Sequence, residues 1–113
     1  MAVSCRTEPG CVVVSLAGAL DDASAPALRE YLLGVVHQCG GRLVLDLSAV
    51  RYADVSGLTV VVGTRRRTEL LGGWLRLAAP PPAVTDVLAA TGLDRQLDIY
   101  ATVEAAVSVL VAA

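Results

Sequence analysis

Short aliphatic and β-branched runs alternate along the chain with longer segments in which apolar residues recur every three or four positions. The short runs predict strands over residues 3–7, 11–17, 43–47, 74–78 and, as a brief edge strand, 97–100. The run 43–47 is almost continuously apolar, which is typical of an interior strand. Glu8-Pro9-Gly10 predicts a turn, so the first two strands are expected to form a hairpin.

The segments with helical spacing predict four helices. The first has Ser24 as its N-cap, tolerates Pro26 in its first turn and ends at Gly40-Gly41. Its apolar stripe consists of Leu28, Tyr31, Leu32, Val35 and Val36. The second covers residues 56–71, the third starts at residues 80–82 and closes at 91–93, and the fourth follows a Thr102 cap. The apolar face of the fourth consists of Val103, Ala106, Val107 and Leu110.

Strands that alternate with helices predict an α/β fold, with a mixed sheet of four to five strands and about four helices. Residues 18–22 and 48–54 are predicted to be loops that lead into the first two helices. The chain has 113 residues, 55% of them hydrophobic, which is enough for one domain to bury a core. No linker or internal repeat divides it, so a single domain over residues 1–113 is expected.

Charge and composition exclude several classes of function. The formal net charge of −2 gives no electrostatic case for nucleic-acid binding. Every basic residue is Arg, which excludes a P-loop lysine and a Schiff-base lysine. Arg65-Arg66-Arg67 lacks interleaved aromatic residues, so a solvated helix face is the favoured interpretation.

The cysteines and the chain ends point to a reducing compartment. Cys5, Cys11 and Cys39 have no metal-ligand spacing and are interpreted as buried, reduced thiols. The N-terminus lacks the basic and apolar segments of a signal peptide, and the apolar tail is shorter than the ~20 residues that span a bilayer. A cytoplasmic protein without a membrane segment, a metal or a cofactor is expected.

The most informative stretch is Asp54-Val55-Ser56-Gly57-Leu58, between the interior strand and the second helix. A serine there lies on the first helical turn, where backbone N–H groups lack intrahelical partners. It can cap the helix or accept a phosphate, and Asp54 can equally be the cap. Gly57 most simply lets a partner or a neighbouring loop approach the backbone closely.

Four motifs in order resemble those of the STAS domain, and in particular of single-domain anti-sigma factor antagonists, also called anti-anti-sigma factors. They are Gly18-Ala19-Leu20-Asp21, Leu45-Asp46-Leu47-Ser48, Asp54-Val55-Ser56-Gly57-Leu58 and Thr91-Gly92-Leu93-Asp94. The resemblance covers nearly the whole chain. It implies a STAS fold and a phosphorylation site at Ser56.

In that family the unmodified protein binds a partner that is both anti-sigma factor and serine kinase, and so frees a sigma factor. Phosphorylation of the serine switches this binding off, and a serine phosphatase is expected to reset it. The resemblance also implies that Asp21 lies near Ser56 and helps to orient the kinase or its metal-bound nucleotide. The expected partner-binding residues are Asp21, Asp54, Val55, Ser56, Gly57 and Leu58. The family commonly has Ser or Thr where this chain has Val55, which makes the surface here more apolar.

Two other functions compete with this one. A small enzyme has little support, because the chain shows no plausible pair of base and nucleophile, no metal cluster and no glycine-rich phosphate loop. No catalytic residues are therefore assigned. The alternative is a STAS accessory subunit that docks on a transport complex or a larger signalling complex without phospho-switching. In that case Ser56 would be only a helix cap.

Overall fold

Five strands form one mixed sheet, in the order β1-β2-β3-β4-β5, in a computed structural model that describes residues 1–108. The strands are β1 (Ala2–Glu8), β2 (Cys11–Leu20), β3 (Arg42–Ala53), β4 (Trp74–Ala78) and β5 (Asp98–Tyr100). The hairpin β1–β2 is antiparallel, and the three other pairings are parallel. β3 lies between β2 and β4, which confirms its predicted interior position.

Helices provide the parallel crossovers. They are α1 (Ala25–Cys39), α2 (Val55–Leu70), α3 (Pro82–Thr91) and α4 (Val103–Ser108), with one 3₁₀ turn at Leu93–Arg95. The predicted α/β class, with a mixed five-stranded sheet and four helices, is confirmed. The hydroxyl of Thr102 accepts a hydrogen bond from the backbone N–H of Ala105 at 3.0 Å, so the predicted cap of α4 is confirmed. Leu110, predicted on this helix, lies outside the described residues.

The alternation of side chains along the strands divides the core between the two faces of the sheet. Val12, Val14 and Leu16 face α1, α2 and α3 in the larger apolar cluster. Val13 and Val44 face the other way, toward Ala106 of α4. Among residues 1–108, no helix combines the length and the apolar character that crossing a bilayer requires.

Arg76 joins α4 to the sheet. Its guanidinium lies 3.7 Å from the centroid of the Trp74 ring and donates a hydrogen bond to the Ala106 carbonyl at 2.9 Å. The long apolar stem and planar head of arginine allow both contacts at once.

The predicted loops 18–22 and 48–54 are wrong for most of their length, because both strands continue. Gly18 pairs with Val50, and Leu20 pairs with Ala53. The register shifts between Ser15 and Ala17 and again between Gly18 and Ala19. Gly18 has φ +107, a conformation that suits glycine, and such irregularities let a strand bend without losing its pairing. The strand pairing provides hydrogen-bond partners for backbone N–H and C=O groups that, in a loop, would bond to water instead.

The prediction of buried thiols is wrong for two of the three cysteines. Cys5 and Cys39 are exposed, whereas Cys11 is buried, and all three are free. Cys5 lies on β1, an edge strand whose residues are almost all exposed, and Cys39 is the last residue of α1. Burial, and then the nearby Glu8 carboxylate, raises the pKa of the Cys11 thiol, and the opposing effects of Arg76 and Arg6 are smaller.

We expect the native protein to expose two reactive thiols. At mildly alkaline pH, iodoacetamide should alkylate Cys5 and Cys39 at least tenfold faster than Cys11, because the thiolate is the nucleophile and Cys11 is both buried and harder to ionise. Mass spectrometry of timed samples measures this, and the same reaction in denaturant is the control in which the three rates should converge. Equally fast native modification of Cys11 would contradict its placement in the core.

Candidate functional site

The second helix begins directly after β3, and Asp54 caps it. Asp54 has extended backbone, and its side-chain carboxylate accepts a hydrogen bond from the N–H of Gly57 at 3.0 Å. Val55 is therefore the first helical residue and Ser56 the second. The sequence left two candidates for the N-cap of this helix, Asp54 and Ser56. In the structure Asp54 is the N-cap, so the Ser56 hydroxyl is not needed to start the helix.

The hydroxyl of Ser56 is uncommitted. Ser56 is exposed and takes part in none of the side-chain hydrogen bonds found among residues 1–108. Thr59, one turn later, instead donates its hydroxyl to the Val55 carbonyl at 2.6 Å. Ser24 donates to the Ala19 carbonyl at 2.8 Å. Of these three neighbouring hydroxyls, only that of Ser56 is free to meet a reagent or a partner.

Gly57 permits the close approach of α2 to the end of β2. A Cβ atom built on Gly57 would lie 2.3 Å from the carbonyl carbon and oxygen of Leu20. The backbone N–H of Asp54 also donates to the Leu20 carbonyl, at 2.9 Å. The predicted close approach is thus confirmed, and the neighbour is the protein's own strand end. Gly57 is buried by this contact, which corrects its prediction as a partner-binding residue.

Leu58 requires the same correction. Its side chain is 0% exposed and belongs to the main apolar cluster. A residue at that depth anchors the helix and cannot touch a partner. The reason is helical geometry: Leu58 is the next residue after Gly57, and its position on α2 directs its side chain into the apolar cluster against the sheet.

Asp21 and Ser24 form a reciprocal pair in the turn before α1. The carboxylate of Asp21 accepts from the N–H of Ser24, and the hydroxyl of Ser24 accepts from the N–H of Asp21, both at 3.0 Å. The Ser24 hydroxyl therefore points back into the turn, and the predicted side-chain cap on α1 is absent. Asp21 follows Leu20, whose carbonyl contacts the start of α2, so the structure brings Asp21 close to the Ser56 region.

The surface around Ser56 is half apolar and half charged. Val55 is 54% exposed and Tyr52, near the end of β3, is 53% exposed. On the other side a cavity of about 370 Å³ separates the first turns of α1 and α2. Its lining consists of Asp22, Ala25, Pro26, Arg29, Val55, Ser56 and Thr59.

The residues predicted from the sequence did not include Asp22, Arg29 and Thr59, which line this cavity with Ser56, or the exposed Tyr52 near the end of β3. Thr59 could have been found, since it lies three residues after Ser56 on the same helix face. Ala25 and Arg29 share a face of α1 for the same reason, but their proximity to α2 depends on how the two helices pack. Tyr52 was hidden by the prediction that residues 48–54 form a loop.

Other chemistry has little support at this site. Within residues 1–108, no group of three or more His, Cys, Asp or Glu side chains comes together as metal ligands would. Arg65 forms a salt bridge with Glu69 at 3.2 Å, and Arg66 and Arg67 are exposed, which confirms the interpretation of a solvated helix face.

Comparison with known proteins identifies relatives of the chain. The model of the STAS domain family matches residues 2–106. The anti-sigma-B factor antagonist of Bacillus subtilis (strain 168) is 38% identical over 96 residues, which cover 85% of this chain and 87% of that protein. The crystal structure of an anti-sigma factor antagonist from Mycobacterium paratuberculosis has a TM-score of 0.86 and 30% identity, over 96% of this chain and 92% of that one.

The phosphorylated form of the Bacillus cell fate determinant SpoIIAA is also similar. Its structure has a TM-score of 0.72 and 24% identity, and the match covers 96% of this chain and 99% of that one. At that identity the likeness shows a common fold.

The contact at Gly57 generates a test with a control in the same helix. Gly57→Ala should lower the free energy of unfolding by about 2 kcal/mol or more, because the new methyl group meets backbone that cannot move away cheaply. Gly63→Ala should raise it by about 0.5–1 kcal/mol, since Gly63 is exposed, has open space around it and gains helix propensity. Urea denaturation measures both, and equal stabilities would contradict the described approach of α2 to β2.

Proposed function

The chain belongs to the STAS domain family, and we propose that it is an anti-sigma factor antagonist switched by phosphorylation of Ser56. Unmodified, it binds an anti-sigma factor that is also a serine kinase, and a sigma factor is released. The observation that carries this proposal is the exposed, uncommitted hydroxyl of Ser56 at the second position of α2. The named relatives supply the class of partner.

In the proposed switch the chain is a substrate and not an enzyme. The kinase transfers the γ-phosphoryl group of ATP to the Ser56 oxygen, the hydroxyl proton leaves to a base of the kinase, and ADP is the other product. A serine phosphatase hydrolyses the phosphoester and restores the hydroxyl. Both reactions require an oxygen that an external active site can reach, and the fold needs no contribution from that oxygen.

The proposed docking surface consists of Tyr52, Val55 and Ser56, flanked by Asp21 and Asp54. Tyr52 and Val55 offer an exposed apolar area of the kind that interfaces bury, and Tyr is among the residue types enriched there. One carboxylate oxygen of Asp21 and one of Asp54 each accept a hydrogen bond from a backbone N–H. Their role is to shape the turns, and their remaining oxygens can face a partner.

Phosphate weakens such an interface by local charge. It adds about 1.5 to 2 negative charges at neutral pH. The start of a helix favours an anion by ~0.3–1 kcal/mol, so the modified domain stays folded. Against an acidic partner surface, two unit charges 4 Å apart repel by ~4 kcal/mol at an effective dielectric of about 20, before screening by salt. Even a third of that energy is about a tenfold loss of affinity.

The proposal covers residues 1–113 as one domain and places the protein in the cytoplasm, where a sigma factor and its regulators act. No nucleic acid or membrane takes part. Val55 replaces the hydroxyl residue common at this position in the family. The chain therefore offers the kinase one hydroxyl at the start of α2 and the partner a more apolar contact.

We expect charge, and not size, at position 56 to control binding. Ser56→Asp should weaken binding to an anti-sigma factor kinase from the same genome at least tenfold, whereas Ser56→Asn, of the same shape but neutral, should change it less than threefold. Isothermal titration calorimetry at 0.15 M salt measures both, with unchanged circular dichroism as the control for folding.

The same kinase with ATP should place one phosphate on Ser56 and none on Thr59, as peptide mass spectrometry reports. Equal affinities of the Ser56→Asp and Ser56→Asn variants would contradict the switch. Phosphate found elsewhere, or nowhere with the kinases of that genome, would favour the accessory subunit that docks without phosphorylation.

A further inference from the structure

The cavity between the first turns of α1 and α2 places a basic side chain beside the phosphorylation site. Ala25, Pro26 and Arg29 line it from α1, and Val55, Ser56 and Thr59 line it from α2. Ala25 and Arg29 are four residues apart on one helix face, as are Val55 and Thr59 on the other. The cavity is thus a groove between the two helices, with Arg29 on the α1 side and Ser56 on the α2 side.

Arg29 has no ionic partner within residues 1–108. The salt bridges in that part of the chain join Arg6 to Glu8 and Arg65 to Glu69, and Arg76 is held against Trp74. Arg29 is exposed, and it donates none of the side-chain hydrogen bonds found there. An arginine left without a partner beside a serine is poised to receive an anion placed on that serine, because its planar fork matches the geometry of phosphate.

We propose that Arg29 is the intramolecular receptor for the phosphate on Ser56, which is drawn into the groove between α1 and α2. This proposal rests on the proposed function only for the origin of the phosphate. The volume of about 370 Å³ is ample for a phosphate group, and Ala25 and Pro26 add no charge to the groove wall beside Arg29. The first turn of α2 adds its partial positive charge on the side of Ser56.

The opposing charge in the groove is that of Asp22. Asp22 lines the same cavity and is exposed, so water screens its repulsion. Asp21 and Asp54 lie in the adjoining turns, do not line the cavity, and each accept a hydrogen bond from a backbone N–H, which partly offsets their negative charge. Arg29, with a full positive charge and several donors, is the group that compensates the phosphate.

The consequence is a second component of the switch. In the unmodified protein, Arg29 is available to an acidic group of the partner. In the phosphorylated protein, the phosphate engages it. Phosphorylation then both adds negative charge to the docking surface and withdraws a positive one, while the helices keep their positions.

The test uses protein in which phosphoserine is incorporated at position 56 during translation, so that neither kinase nor partner is needed. The ³¹P resonance, followed against pH, gives the second pKa of the phosphate, which is about 6 without special neighbours. Arg29 favours the dianion, so Arg29→Gln should raise this pKa by about 0.2–0.7 units, the size of a typical exposed ion pair. Arg29→Lys should give an intermediate value.

The matched control is Arg66→Gln. Arg66 is exposed on α2, ten residues beyond Ser56 and thus about 15 Å along the helix, more than a Debye length away at physiological salt. It should leave the phosphate pKa unchanged. A pKa that is the same in wild type and Arg29→Gln would overturn the proposal, as would equal shifts for Arg29→Gln and Arg66→Gln. A kinase that ignores Ser56 would refute the proposed function and leave this measurement as it stands.

Discussion

The backbone contact between the end of β2 and the start of α2 determines where everything else at the site lies. The Leu20 carbonyl accepts the N–H of Asp54 at 2.9 Å and lies directly against Gly57. This contact requires a residue without a Cβ atom at position 57 and fixes α2 one residue after β3 ends. Ser56, the residue before Gly57, consequently lies about 100° around the helix from this contact, where it is exposed to solvent. A buried glycine thus positions an exposed serine.

A frame of this kind suits a switch that works by charge. The apolar clusters on the two faces of the sheet hold the helices, and Asp54 caps α2 without help from Ser56. In the proposed switch, phosphate on Ser56 would therefore break none of the hydrogen bonds found among residues 1–108 and would fill no part of the core. Its proposed effects are electrostatic and local, on the partner in the proposed function and on Arg29 in the further proposal.

Periodicity predicted the order and type of the elements well, because each strand and helix buries one face or stripe against the same core. It failed where pairing overrides local preference: residues 18–20 and 48–53 form strand because β2 and β3 satisfy each other's backbone groups across two register shifts. The motif around Ser56 was found because a serine, a glycine and an acid occur together at a helix start. Arg29 was missed because its place in the cavity with Ser56 depends on the packing of α1 against α2. Tyr52 was missed because residues 48–54 were predicted to be a loop, whereas β3 extends to Ala53. Neither the packing of the two helices nor the full length of β3 can be predicted from a local sequence pattern.

The most direct test of a charge switch on a fixed frame is a comparison of backbone amide chemical shifts in the unmodified and Ser56-phosphorylated proteins. The account predicts changes confined to the turn before α1, its first turns, the end of β3 and the start of α2, with the amides of β4 and β5 unmoved. Changes spread through the whole sheet would mean that phosphate acts by rearranging the fold, and would contradict the account.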